Sequence, residues 1–238
     1  MKPALTQRQI VPPESWEQLP MGDWLAAEIQ ERLDLWCPHL FGYHLLKLGA
    51  LSSHLSCSGS AIRHQVSLGL AGAGLGVLAD VADLPIRDTA IDACLLAQTL
   101  DYTNDPHQVL REVERVLTAD GWLILSGFNP HSLVGLGRLL PFMRRQHPWH
   151  ARMFSPERIR DWLELLGFEL VHYEAFGFSS LSSGSKIHWW RENLGRDYCG
   201  YFASVYMLAA RKRTIPLTPE PERRWARKPL IVPGMARI

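Results

Sequence analysis

Residues 75–130 constrain the fold more than any other stretch of the chain. They hold two apolar runs, 90–97 and 122–128, on either side of an amphipathic segment. Ala93-Cys94-Leu95-Leu96-Ala97 and Trp122-Leu123-Ile124-Leu125 are apolar at successive positions. A strand of that kind needs cover on both faces, which is the pattern of parallel strands between two helix layers. In the segment between them, Asp105 is suited to accept bonds from the first free N–H groups of a helix, and Pro106 suits its first position. Leu110, Val113, Val116 and Leu117 then recur at helical spacing, and Asp120-Gly121 turns the chain into the second run. Strand, helix and strand of this length predict a βαβ unit with a right-handed crossover.

The same stretch resembles the second half of the class I S-adenosylmethionine-dependent methyltransferases, type 11 (ubiquinone-biosynthesis-like) group. The resemblance is carried by Asp80-Val81-Ala82-Asp83-Leu84-Pro85-Ile86 and by Ile91-Asp92-Ala93-Cys94-Leu95-Leu96-Ala97-Gln98-Thr99-Leu100. Asp105-Pro106, Leu110-Arg111-Glu112-Val113-Glu114-Arg115-Val116-Leu117 and Gly121-Trp122-Leu123 follow in the family's order. Within the family, the whole chain looks most like a small proteobacterial branch. The resemblance implies a Rossmann-like α/β sheet, mostly parallel with an antiparallel last strand, and S-adenosyl-L-methionine as cofactor. It implies that Asp80 contacts the adenine amino group, with Val81 beside it, and that Gly49 and Gln98 line the methionine side. Asp101 and Asn129 are implied on the acceptor side, with Tyr102 or His131 as the base.

The first half departs from the family. Residues 43–51 (Tyr-His-Leu-Leu-Lys-Leu-Gly-Ala-Leu) read as the first strand and its turn, where the family has an acid and a glycine-rich loop. In the family those glycines let the backbone approach the cofactor. Here Lys47 stands at the acid's place, Gly49 is kept, and Ala50, Leu51, Ser52 and Ser53 replace the rest. Only one further strand is convincing before residue 76, at 64–70, and no Asp or Glu occurs between Ala50 and Ala79 to take the family's ribose contact. Gly72-Ala73-Gly74-Leu75-Gly76 imitates a cofactor loop but lacks strand-then-helix context, so it reads as a turn between two strands.

Elsewhere, residues 23–36 read as an amphipathic helix with Trp24, Leu25, Ile29, Leu33 and Trp36 on one side. Ser155-Pro156-Glu157 opens another helix, carrying Ile159, Trp162, Leu163 and Leu166 to a cap at Gly167. Strands are expected at 168–176 and 202–210. His147-Pro148-Trp149-His150 looks metal-like, but two histidines without a third ligand read as surface loop. The expected organisation is one methyltransferase-like domain over 1–213, with its N-terminal helix at 23–36, core at 43–213 and a long insert at 177–201. A basic, Pro-rich tail follows at 214–238.

Composition sets the remaining bounds. A content of 47% hydrophobic and 21% charged residues in 238 is that of a globular protein with a sizeable core. The net charge of +1 implies no strong polyanion affinity for the chain as a whole. Cys37, Cys57, Cys94 and Cys199 show no C-x-x-C pair and no metal-ligand spacing, so no metal site is expected, and Cys94 reads as a buried core thiol. No apolar run reads as a signal peptide or a membrane span, and a cytoplasmic location is expected. Two functions remain open: a methyltransferase, and a binding or regulatory protein that keeps the fold without the chemistry. The expected acceptor is a small molecule, with nucleic acid as the alternative through the basic tail.

Overall fold

The computed structural model describes residues 10–138, 146–177 and 202–214. The expected insert beyond Gly177, the tail beyond residue 214 and the segment 139–145 lie outside the described residues.

Seven strands form one sheet: β1 (His44–Leu48), β2 (His64–Gly69), β3 (Val77–Leu78), β4 (Ile91–Ala97), β5 (Leu117–Phe128), β6 (Phe168–Phe176) and β7 (Val205–Lys212). Their order is β3-β2-β1-β4-β5-β7-β6. The first five run parallel, while β7 lies antiparallel between β5 and β6. Among the described residues five α-helical segments accompany them: α1 (Gly22–Trp36), α2 (Ala50–Ser53), α3 (Pro106–Val116), α4 (Leu133–Gly137) and α5 (Pro156–Leu165).

The sheet is covered on both faces, as its doubly apolar strands require. On one side α1 sends Leu25, Ile29 and Leu33 against Leu45, Leu95 and Ile124. On the other, α3 and α5 pack Leu110, Val113, Ile159 and Leu163 against Leu46, Leu96 and Leu123. Alternation along β1 divides Leu45 from Leu46 in this way. The expected caps form: Gln108 N donates to Asp105 Oδ1 at 3.1 Å, Arg158 N to Ser155 Oγ at 3.4 Å, and Gly167 closes α5 at φ 80°. β4 and β5 are neighbouring parallel strands.

Several boundaries differ from expectation. β5 begins at Leu117, and the Asp120-Gly121 turn is an irregularity within the strand. Ile91 pairs with Leu117 but Ala93 with Trp122, and Asp120 takes φ 60°. The last strand begins at Val205 rather than 202. Phe202 is exposed, and Ser204 N is held by Gly177 O at 2.7 Å. The helix after β1 is one turn long. The 72–76 glycines form a turn between β2 and β3, as expected, although those two strands are parallel.

Candidate functional site

Parallel α/β sheets bind ligands beyond the carboxyl ends of their strands. A cavity of about 210 Å³ opens there, lined by the ends of β1, β2 and β4 and by the loop after β3. Of the residues proposed for the cofactor, Gly49, Asp80, Val81 and Gln98 all line it, and so does Tyr102.

Gly49 follows β1 at φ 88°, a conformation that excludes most side chains. Its N–H donates to Leu68 O at 2.8 Å, and an added Cβ would lie 2.9 Å from Thr99 Oγ1. Ser52, at a position where the family has a glycine loop, has a structural task. Its Oγ donates to Leu48 O at 2.6 Å and accepts from Ala97 N at 2.7 Å, tying β1 to β4. Lys47 does not face the cavity. It lies on the α1 side, buried, with Nζ donating to Leu55 O at 2.7 Å. Leu70, at the end of β2, lines the cavity, and the lining carboxylates are Asp80 and Asp105.

Asp80 is exposed at the cavity rim, with Oδ1 accepting from Ala82 N at 2.9 Å and its second oxygen turned to no described donor. The loop it opens is fastened to α3 by two residues whose site role the sequence reading missed. Glu112 Oε2 accepts from Leu84 N at 2.9 Å. Arg115 donates to Leu84 O at 3.0 Å, to Ile86 O at 2.8 Å, and to the carboxylates of Asp88 and Glu112. The Arg115 guanidinium holds the Glu112 carboxyl below its ordinary range. Gln98, at the end of β4, is fully buried, takes φ 53°, and neither its Oε1 nor its Nε2 has a partner. A buried amide costs free energy unless something bonds it, so this one points to a ligand or an ordered water.

Tyr102 is buried with its hydroxyl unpartnered, and burial first, then Asp101, pushes its ionisation well up. His147 and His150 pack against it, with ring centroids at 5.5 and 5.7 Å, and lie 4.2 Å from each other. The Nδ1 atoms of both are buried without partners, and burial together with His150 lowers His147 to about 4. These two were expected in a surface loop. They are half-buried, because Arg152 N donates to Asp101 O at 2.8 Å and draws their segment onto the end of β4. His150 also bonds Val11 O at 3.0 Å, which holds the N-terminal segment, with Ile10, Pro12 and Pro13, over the cavity.

The other proposed residues stand apart from the cavity lining. His131 is exposed, and its backbone N donates to Asn129 Oδ1 at 3.0 Å. Asn129 is buried after β5. Asp101 is buried with Oδ2 accepting from Phe128 N at 2.9 Å and Oδ1 unpartnered.

Two outcomes arise from this geometry. Gly74 lies outside the cavity lining, and a Cβ there would meet Ser53 Oγ at an ordinary 3.6 Å. Gly74→Ala is therefore expected to leave cofactor affinity within about twofold, while φ 78° costs stability about 1 kcal/mol. Affinity by titration and stability by denaturant unfolding check the pair. Asp101 gives a pH signature. Burial raises its carboxyl well above the usual range, against the Phe128 N–H and Arg138. A raised acid favours the fold at low pH, and that contribution is lost as pH climbs from the ordinary carboxylate range through the folded value. Asp101→Asn keeps an acceptor for Phe128 N and cannot ionise. Its melting temperature should exceed the wild type's at about pH 8, and the gap should close at about pH 4. A gap independent of pH would show that Asp101 is not the titrating group.

Comparisons agree with this architecture. The type 11 methyltransferase-domain model matches residues 60–125. The protein YafS of Escherichia coli K12 is 39% identical over 234 residues, spanning 97% of this chain and 94% of YafS. A methyltransferase structure from Archaeoglobus fulgidus, described as S-adenosylmethionine-dependent, aligns at TM-score 0.57 and 20% identity, over 79% of this chain and 94% of that one. Another, from Thermotoga maritima and described as a possible histamine N-methyltransferase, aligns at TM-score 0.54 and 19% identity, over 83% and 99%. No helix among the described residues is long and apolar enough to cross a membrane.

Proposed function

We propose that this chain, which belongs to the YafS branch of the class I, type 11 S-adenosylmethionine-dependent methyltransferase family, binds S-adenosylmethionine in the cavity at the ends of β1 and β4 and transfers its methyl group to a small-molecule acceptor. The unpartnered amide of buried Gln98, which lines the same cavity as Gly49, carries the reading.

The residues present fit the cofactor in its adenine and methionine parts. Asp80 would accept from the adenine amino group with its spare oxygen, and Val81 would pack beside the ring. Gln98 has both a donor and an acceptor for the methionine amino and carboxylate groups. Leu70 offers the ribose only apolar contact. When bound, the cofactor supplies a methyl group activated by its sulfonium.

The chain's own part is to align the acceptor and manage its proton. Tyr102 is held un-ionised and would donate its hydroxyl hydrogen to the acceptor. His147 is held as a neutral imidazole against the Tyr102 ring, outside the cavity lining, where it would position Tyr102. His131 lies outside the cavity lining. The Ile10–Pro13 segment excludes water above the site.

The second reading is a protein that binds the cofactor or a related nucleoside without transfer. It is favoured by Leu70 and Lys47, which leave β1 and β2 without the family's acids. Thermal unfolding separates cofactor binding from its absence. With affinity in the tens of micromolar, about 1 mM S-adenosylhomocysteine stabilises by about 2 kcal/mol. A chain of this length should then melt about 4–8 °C higher. Asp80→Ala should reduce that shift. No shift in the wild type would remove the first reading, and a shift without turnover would favour the second.

A further inference from the structure

We propose that His44 and His64 form a binding site for a divalent transition-metal ion of the copper or nickel class, at the amino edge of the sheet and away from the cofactor cavity. The two residues are twenty positions apart in sequence, and the parallel pairing of β1 with β2 sets them opposite one another. Their Nδ1 atoms are 2.9 Å apart, and the rings stand at 86° with centroids at 4.9 Å. Both side chains are exposed and border a second hollow of about 560 Å³ at the strands' amino ends.

The site is held from beneath. Asp92 Oδ2 accepts from Tyr43 N at 2.7 Å and from His44 N at 2.9 Å, which fixes the backbone that carries the first imidazole. That approach requires Gly42, where an added Cβ would fall 2.2 Å from the Asp92 carboxyl carbon. The second imidazole is fixed by the strand ladder itself.

In the metal-free pair one Nδ1 carries the hydrogen and the other accepts it. An ion between them would take that hydrogen's place: the ring that carries it shifts its proton from Nδ1 to Nε2, the other already holds its proton on Nε2, and both then give the Nδ1 lone pair. The spacing selects the geometry. Metal–imidazole bonds of about 2.0–2.1 Å with nitrogens 2.9 Å apart subtend about 90° at the ion. Ninety degrees is a cis pair in a square-planar or tetragonal ion, the preference of Cu²⁺ and Ni²⁺. A tetrahedral ion would need the nitrogens about 3.3 Å apart. Among the described residues no three His, Cys, Asp or Glu side chains gather around one point, so water completes the coordination.

The full-length chain is titrated calorimetrically with CuSO₄ and with NiCl₂, and the Cu²⁺ adduct is examined by electron paramagnetic resonance. One ion per chain is expected, with superhyperfine coupling from two imidazole nitrogens. His44→Ala and His64→Ala should each weaken binding by about 10–100-fold or more, with unchanged circular dichroism. His172→Ala, a half-buried histidine on β6 that packs on Trp36, should leave it unaltered. Binding lost in His147→Ala and His150→Ala but kept in His64→Ala would overturn the proposal, as would no binding in the wild type at millimolar metal.

Discussion

Gly49→Val is expected to weaken S-adenosylmethionine binding by at least about 100-fold, or about 2.7 kcal/mol. Two effects combine. The cavity wall at this point is bare backbone, and a branched side chain would occupy space on the methionine side. Its Cβ would also lie 2.9 Å from Thr99 Oγ1 and 3.3 Å from Thr99 Cγ2. Thr99 cannot readily yield, because its hydroxyl donates to Leu48 O at 2.6 Å. Holding a β-branched residue near φ 88° adds strain of about 1–3 kcal/mol, which should also appear as lost stability. Titration of the folded variant checks the claim, with Gly74→Ala as the comparison. A Gly49→Val protein that binds as tightly as the wild type would place the cofactor elsewhere.

The second large effect is expected at Arg115, which stands outside the lining of the proposed cofactor cavity. Its guanidinium joins α3 to the loop carrying Leu84, Ile86 and Asp88, and it neutralises Glu112. The Glu112 side chain is 12% exposed, so removing its partner leaves a largely buried carboxylate unpaired. With Arg115 itself about one-third exposed, the loss for Arg115→Ala should fall near the lower end for buried pairs, about 2–3 kcal/mol of stability. Arg115→Lys should restore little, because an ammonium cannot reproduce the planar fork that meets two carbonyls and two carboxylates. Cofactor affinity should fall as well, since Asp80 and Val81 begin the same loop. Denaturant unfolding measures the first effect and titration the second. A stability change below about 0.5 kcal/mol would mean that the loop is held by Leu84 burial alone.

The unit from β4 to β5 was legible because its signals are local: doubly apolar strands, Asp105 and Pro106 opening α3, and helical spacing from Leu110 to Val116. The residues proposed for the cofactor came from family resemblance, and Gly49, Asp80, Val81 and Gln98 line one cavity. Contacts made across the sheet were not. Nothing near Lys47 in sequence announces that alternation along β1 turns it toward Leu55 O, away from the acid's role. His147 and His150 looked like surface loop because Tyr102, which they pack against, lies about 45 residues earlier in the chain. His131 drew attention by following β5, but the short turn through Asn129 leaves it exposed. The His44–His64 pairing depends on strand register, which local composition does not encode. Asp120-Gly121 read as a turn because its residues favour one, and the positive φ at Asp120 is met within a strand irregularity instead.

Calorimetric titration of the purified full-length chain with S-adenosylmethionine and S-adenosylhomocysteine tests the central claim most directly. The cavity lining keeps Asp80, Gly49 and Gln98, with Leu70 and no acid at the end of β2. Each missing charge-assisted hydrogen bond costs about 1.5–3 kcal/mol, or at least about tenfold in affinity. The account predicts one site per chain, a dissociation constant of roughly tens of micromolar, and further weakening in Asp80→Ala. The absence of any binding heat at millimolar ligand would contradict it.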